Sequence, residues 1–427
     1  MFKARADICP SYRNQRIFVF AASILVVLSG CVVNEMRPLP KLEAAQAKQQ
    51  ISEAELLDIA VQAFDANIPE ALKDNEEALD KQRIYPDVRK AESQLLAFRL
   101  KTTLETSGQW GAVRVVPEGV KFVDVLVTGK ILKSTGGSLE LLIRAVDASG
   151  RIWIADQVYA GAADVSSYKT DAAIRARDPF KNVYVQIAND LLAARERLST
   201  AERQEVRKVA SLRFAEDLDP RSFRGYLFKD RNELIRVARL PAKNDPALVR
   251  IEKIHERDAA VIDTLDGYNE QFSERLFDSY AGYRRTSREA IEKEEKARSQ
   301  ATARTVLGAA AVLASIFVSS QCNSADDNCQ RIEDAVRYGG GVGGVAAVMS
   351  GIKKFEDAKT AAQEVKELAR SFENEAGSQI VEVEGRSLKL VGTTEEQYRE
   401  WRRLLSAIYA EETGTATGAS STPPAGS

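Results

Sequence analysis

The apolar positions of this chain change their period from segment to segment, and the changes divide it. Leu56-Leu57-Asp58-Ile59-Ala60-Val61-Gln62-Ala63-Phe64 is a mostly apolar run of strand length. Val88, Ala91, Leu95, Leu96, Leu100 and Leu104 instead recur at threes and fours, predicting a helix from Val88 to Thr106 that Ser107-Gly108 ends. Four strand patterns follow: Trp110–Val116, closed by Pro117, then Val123–Lys133, Ser138–Asp147 and Arg151–Tyr159. Thr135-Gly136-Gly137 and Asp147-Ala148-Ser149-Gly150 supply hairpin turns between the last three. A strand, a helix and an antiparallel meander predict an α+β fold, its layered domain spanning 51–200.

From there to about Ala303 the pattern reads almost entirely as helix, a helical domain over 201–304. Asp178-Pro179 opens a helix with Phe180, Val183, Ile187, Leu191 and Leu192 on one side. Ser199-Thr200-Ala201-Glu202 has the form of a capping box. Ile251, Ile254, Val261, Ile262, Leu265, Tyr268, Phe272, Leu276, Tyr280 and Tyr283 continue the three-four spacing. Arg284 to Arg304, dense in Glu, Lys and Arg, is expected as a solvated helix, with one face of a coiled coil as the alternative.

Two apolar arms over 305–355 flank Cys322-Asn323-Ser324-Ala325-Asp326-Asp327-Asn328-Cys329 and suggest a helical hairpin. Gly339, Gly343, Ala347 and Gly351 recur every four residues, leaving a groove in which another helix can lie close. Each helical glycine costs about 1 kcal/mol against alanine, so close packing must offset the six between 339 and 351. The first arm, Thr305 to Ser320, reaches only about 24 Å, short of a hydrocarbon core of roughly 30 Å. Burial within the folded body is therefore preferred over an oligomerisation zipper or membrane insertion, both of which stay open. Residues 356–412 read as a helix, a hairpin from Ile380 to Leu390 about a central glycine, and a terminal helix capped at Thr394 with Tyr398, Trp401, Leu404, Leu405 and Ile408 in one stripe. Arg399, Arg402 and Arg403 are expected to face away as a solvated face, with a docking surface for an acidic partner, formed beside Trp401, as the alternative. Residues 413–427 are expected as a disordered tail.

The amino-terminal segment changes the picture more than composition does. Lys3, Arg5, Arg13 and Arg16 against Asp7 precede an uncharged run, Ile17 to Val27, in the order of a secretory signal. Leu28-Ser29-Gly30-Cys31 then resembles the lipobox of bacterial lipoproteins. That resemblance implies cleavage of 1–30, a diacylglycerol on the Cys31 sulfur and an N-acyl chain on its new amino terminus. At about 0.8 kcal/mol for each buried methylene, three chains anchor essentially permanently. Val32 in place of aspartate favours the outer membrane. Residues 31–50, with two prolines and few large apolar side chains, form the anchor and tether.

Without residues 1–30 the chain keeps 56 Lys plus Arg against 61 Asp plus Glu, so no nucleic-acid partner is expected. An apolar fraction of 44% with 29% charged residues is that of a globular protein. Cys322 and Cys329 remain in a disulfide-permissive compartment and are expected to pair. No metal site is expected, since the single histidine, His255, lies within a helical pattern far from both. No phosphate loop, Gly-x-Ser-x-Gly or catalytic cysteine context is present, so neither an enzymatic activity nor a cofactor beyond the lipid is expected.

The segments GQWGAVRVVP, VDVLVTGKIL and LELLIRAVDASGRIWIADQVYAG, after a strand and a helix, look like periplasmic α/β domains of envelope lipoproteins such as the curli-secretion and penicillin-binding-protein-activator lipoproteins. The amino-terminal domain of the Tol-system propeller protein is similar in layout, and the whole chain resembles uncharacterised proteobacterial lipoproteins. The resemblance implies protein binding and carries over no catalytic residue. The expectation is a non-enzymatic, periplasm-facing binding or assembly module whose partners are other envelope proteins or itself. The alternatives are a self-assembling ring or pore component and a peptidoglycan hydrolase.

Overall fold

The computed structural model describes residues 41–319 except 171, 174–176 and 243, then 360, 363, 367, 378–383, 386–391 and 393–413. Cys31 and its leader, Cys322, Cys329, Gly339, Gly343, Ala347, Gly351, most of the helix expected through Phe372 and the tail after Thr413 lie outside them.

The strands are β1 (Ile59–Gln62), β2 (Val113–Val116), β3 (Val125–Ser134), β4 (Ser138–Asp147) and β5 (Ile152–Ala162), arranged in the order β2-β1-β3-β4-β5. β1 runs parallel to both neighbours, with Ile59 opposite Val113 on one side and Val125 on the other. β3 to β5 form the expected antiparallel meander. The helices are α1 (Glu76–Lys81), α2 (Pro86–Thr106), α3 (Lys181–Glu196), α4 (Thr200–Leu218), α5 (Pro246–Ser319) and α6 (Thr394–Thr413). The architecture is α+β.

Period-two alternation gives the sheet two apolar faces in its β2-β1-β3 half, and both are covered. Val61, Val115 and Val127 join Leu96, Leu100 and Leu104 of α2 and Ile187 and Leu191 of α3 in one core. Ala60 and Val116 point the other way, into a core shared with Phe214 of α4, Ile254, Ile262 and Leu265 of α5, and Trp401 and Leu405 of α6. The α4 capping box forms as expected, Glu202 accepting from the Ser199 amide and the Ser199 hydroxyl from the Glu202 amide. The α6 cap sits one residue earlier than expected, at Thr393, whose hydroxyl accepts from the Glu396 amide at 3.3 Å.

Three expectations change. The apolar run of 56–64 is a strand only over Ile59–Gln62, because carboxylates replace the ladder at its start: Asp124 accepts from the Asp58 amide at 2.9 Å and Asp58 from the Ala112 amide at 2.8 Å. At its end Phe64 and Asp65 lie across β3, Asp65 bonding Gly129 and Ile131. That crossing needs a glycine, since a Cβ at Gly129 would come within 2.5 Å of the Phe64 ring. Second, the helical reading of 201–304 is interrupted by a hairpin, β6 (Leu227–Lys229) and β7 (Ile235–Val237). Strands of three residues are too short to set a period, but the Asp230 carboxylate accepts from the Asn232 and Leu234 amides and makes the turn.

Third, the charged stretch beginning at Arg284 is not solvated at its start. Arg284, Ser287, Ala290 and Ile291 are buried, and helix α5 passes without interruption through 304–305 to Ser319. It crosses the outer edge of β2 and then packs Phe272, Leu276, Tyr280 and Tyr283 on Val88, Ala91 and Leu95 of α2. Arg284 lies 4.4 Å from the Phe180 ring and 4.6 Å from that of Tyr280. Among the described residues no helix is long and apolar enough to cross a membrane.

The β3–β4 turn is where α5 comes closest to the sheet. A Cβ at Gly136 would overlap the Arg284 carbonyl and the Arg288 amide, while one at Gly137 meets nothing within 4 Å. Gly136→Ala is expected to cost about 1–3 kcal/mol by overpacking and Gly137→Ala much less; urea unfolding of the two variants checks the difference.

Candidate functional site

Two concavities flank β1. The larger, about 700 Å³, opens at the carboxyl ends of β1 and β2, where open sheets containing parallel strands bind ligands. The turned end of β1 brings Gln62 and Asp65 to its rim, α2 adds Lys90, Ser93 and Gln94, and the open face of the meander adds Thr128, Lys130, Leu142 and Arg144. Glu118, after β2, and Glu395, in the first turn of α6, complete it. Some of its charges are spent internally: Lys130 lies 3.2 Å from Asp65, and Arg144 lies 2.6 Å from Asp156. The side chains of Gln62, Lys90, Gln94 and Glu118 make no hydrogen bond or ion pair among the described residues. The crevice is thus a polar surface with unspent donors and acceptors of both signs.

The smaller, about 180 Å³, is enclosed between the second face of the sheet and α4, α5 and α6. Val116, Val120, Phe122 and Ile262 give it apolar walls, and Asp58, Arg114, Asp124, Arg207, His255 and Asp258 give it polar ones. Asp124 is 7% exposed. Burial, with Asp58 and Asp147 adding repulsion, pushes its carboxyl up to about 7, against the Asp58 amide and Arg207, 3.7 Å away. Burial lowers the His255 pKa, Arg402 and Arg114 helping, and the imidazole packs 4.6 Å from the Phe214 ring. Asp258 is raised by burial, opposed by Arg402 and by hydrogen bonds from Trp401 and Tyr398.

His255 makes no hydrogen bond to serine or threonine among the described residues, and no group of three His, Cys, Asp or Glu there could hold a metal ion. The carboxylates Asp124 and Asp258, whose pKa values are raised, both line the smaller cavity.

The alternative docking surface on the last helix is not a surface. Trp401 is 1% exposed, and its indole N–H donates to Asp258 at 2.9 Å. Arg402 bonds Asp217 at 2.6 Å and lies 5.0 Å from the Phe214 ring, so it turns inward instead of facing away. The acids that draw these two side chains in belong to α4 and α5, far off in sequence. Arg399 is exposed, and Arg403 is exposed beside Glu400 at 3.1 Å. The residues that do line the concavities, Lys90, Gln94, Asp124 and His255 among them, were not selected from sequence. The one local sign was the acid directly preceding a strand, in Asp58-Ile59 and Asp124-Val125.

Comparison of the chain with family models, with curated proteins and with solved structures gives no significant match.

Trp401→Ala is expected to destabilise by about 3–5 kcal/mol, and Arg399→Ala or Arg403→Ala to stay within about 0.5 kcal/mol; thermal unfolding separates them. Because the folded-state value of Asp124 lies above its unfolded value, the native chain holds a proton there that the unfolded chain has lost. The stability this contributes is present below about pH 4 and lost as pH rises towards 7. Asp124→Asn should therefore flatten the fall in melting temperature between pH 5 and pH 8, as a pH series of thermal melts would show.

Proposed function

We propose that this chain is an outer-membrane lipoprotein, anchored through diacylglycerol and an N-acyl chain on Cys31, whose body is a non-enzymatic binding or assembly module facing the periplasm. The partner, another envelope protein, docks in the crevice at the carboxyl end of β1. The observation that carries the reading is the state of that crevice: Gln62, Lys90, Gln94 and Glu118 stand around some 700 Å³, their side chains without a hydrogen bond or ion pair among the described residues. Unspent polar groups of both signs around an open crevice suit recognition of a polar protein surface. The lipobox resemblance at Leu28-Ser29-Gly30-Cys31 supports the location.

A permanent anchor also suits a crevice of modest affinity. Confinement to a surface raises the effective concentration of a co-localised partner, so mixed polar contacts without a large apolar area are sufficient.

Cys31→Ser is expected to move the protein out of the outer-membrane fraction; unchanged fractionation would remove the anchoring half of the proposal. A photo-crosslinking residue at Gln94 should give discrete protein adducts in intact cells, weakened by Lys90→Glu, while the same residue at exposed Lys208 should not. Equal labelling at both positions, or none at Gln94, would remove the docking half. Adducts of the chain with itself alone would favour the self-assembling alternative.

A further inference from the structure

We infer that the enclosed pocket between the sheet and α4–α6 is a binding site for a small primary amine, its ammonium held by Asp124 and its apolar stem lying against Val116, Val120 and Ile262. The pocket is distinct from the crevice, and the inference does not depend on the docking proposal.

Space, charge and unspent hydrogen bonding all point the same way. A cavity of about 180 Å³ has room for on the order of ten waters, hence for a short alkyl chain with a polar head. Its walls are mainly apolar, as small-molecule sites are, with a few converging polar groups. Of the acids that reach it, Asp258 is served by Trp401, at 2.9 Å, and by Arg402. Asp58 accepts from the Ala112 amide at 2.8 Å and is half-exposed, and Asp124 is served less well. Arg114 lies 3.9 Å from Asp58 and is hydrogen-bonded instead to Asp263. Arg207 lies 3.7 Å from Asp124 while it donates to the Glu53 carbonyl at 2.6 Å.

Asp124 therefore has one oxygen, Oδ2, bonded to the Asp58 amide at 2.9 Å, and a second without a hydrogen-bond partner among the described residues. Among those residues the one cation paired with this carboxylate, Arg207, stands at 3.7 Å, beyond hydrogen-bond distance, on the Oδ2 side. An anion would meet Asp58 and Asp124 together, and a neutral alcohol would leave their charge uncompensated. An ammonium supplies both the charge and the donor, and the neutral imidazole of His255 offers a second acceptor instead of a competing cation.

Calorimetric titration of the full chain in detergent with n-butylammonium, n-butanol and butyrate tests the inference. Saturable binding is expected for n-butylammonium alone. Loss of a charge-assisted hydrogen bond should weaken it about tenfold or more in Asp124→Asn, which keeps the acceptor for the Asp58 amide. The groups around Asp124 are Asp58, Asp147, Arg114, Arg207, His255 and Asp258. Its raised carboxyl must lose a proton to hold an ammonium, so wild-type affinity should rise about tenfold between pH 6 and pH 8. Butanol or butyrate binding as tightly as the amine, an amine affinity unmoved by Asp124→Asn, or no saturable amine binding would overturn the inference. Should the variant fail to fold, the three-ligand comparison and the pH series on the wild-type chain decide the matter.

Discussion

The path of α5 over the edge of β2 is the contact on which the rest of the structure depends. Asp266 makes it possible, one oxygen accepting from the Val115 amide at 2.8 Å and the other from Lys101 of α2 at 2.5 Å. An edge strand presents unpaired amides, and here a helix carboxylate takes one of them while Arg114 of the same strand reaches Asp263 one turn away. Beyond that edge a second buried acid repeats the device. Glu92 of α2 accepts from Ser134 of β3 at 2.6 Å and from Tyr280 of α5 at 2.7 Å, with Arg89 and Arg284 at 3.6 and 3.7 Å. Buried charges of this kind add little net stability, because desolvation offsets their attraction. They do penalise any other register of the helix heavily, since a shifted α5 would strand an acid or an arginine in an apolar core.

That placement of α5 walls the smaller concavity. Residues 251–265 of the helix wall the second face of the sheet and, with α4 and α6, enclose the pocket around Asp124. Coverage stops short of the meander, so the outer side of β3–β5 stays open and Leu132, Ile152 and Val158 remain exposed. The crevice lies where the open part begins, at the end of β1, bounded by the bend that Gly129 permits and by the first turn of α6. Its polar groups come from several elements, Lys90 and Gln94 from α2, Gln62 from the end of β1 and Glu118 from the segment after β2.

The arrangement also shows where charge is structural and where it is free. Arg284, Glu92, Asp258 and Asp266 are buried and Arg402 is half-buried, each held by partners inside the fold, although in a chain of 29% charged residues nothing local sets them apart. Lys90, Gln94 and Glu118 look no different in sequence, yet their side chains make no hydrogen bond or ion pair among the described residues. Burial sorts them, and burial depends on which helix crosses which strand.

Local pattern alone was enough for α2, β4, the Ser199–Glu202 capping box and the hairpin of 378–391, because each is written in side chains a few residues apart: a stripe at threes and fours, an alternation, a hydroxyl three positions before a carboxylate. The lipobox resemblance at Cys31 is local in the same sense. The shortening of β1, the inward turn of Trp401 and Arg402, the burial of Arg284 and the cavity at Asp124 were decided only by the tertiary structure. Hydrogen-bond partners in these features lie between 54 and 185 positions apart in the chain, as Asp58 to Ala112 and Arg402 to Asp217 illustrate. Periodicity records which face of an element is apolar; it carries no record of what that face will meet, and the chemistry of this protein lies in those meetings.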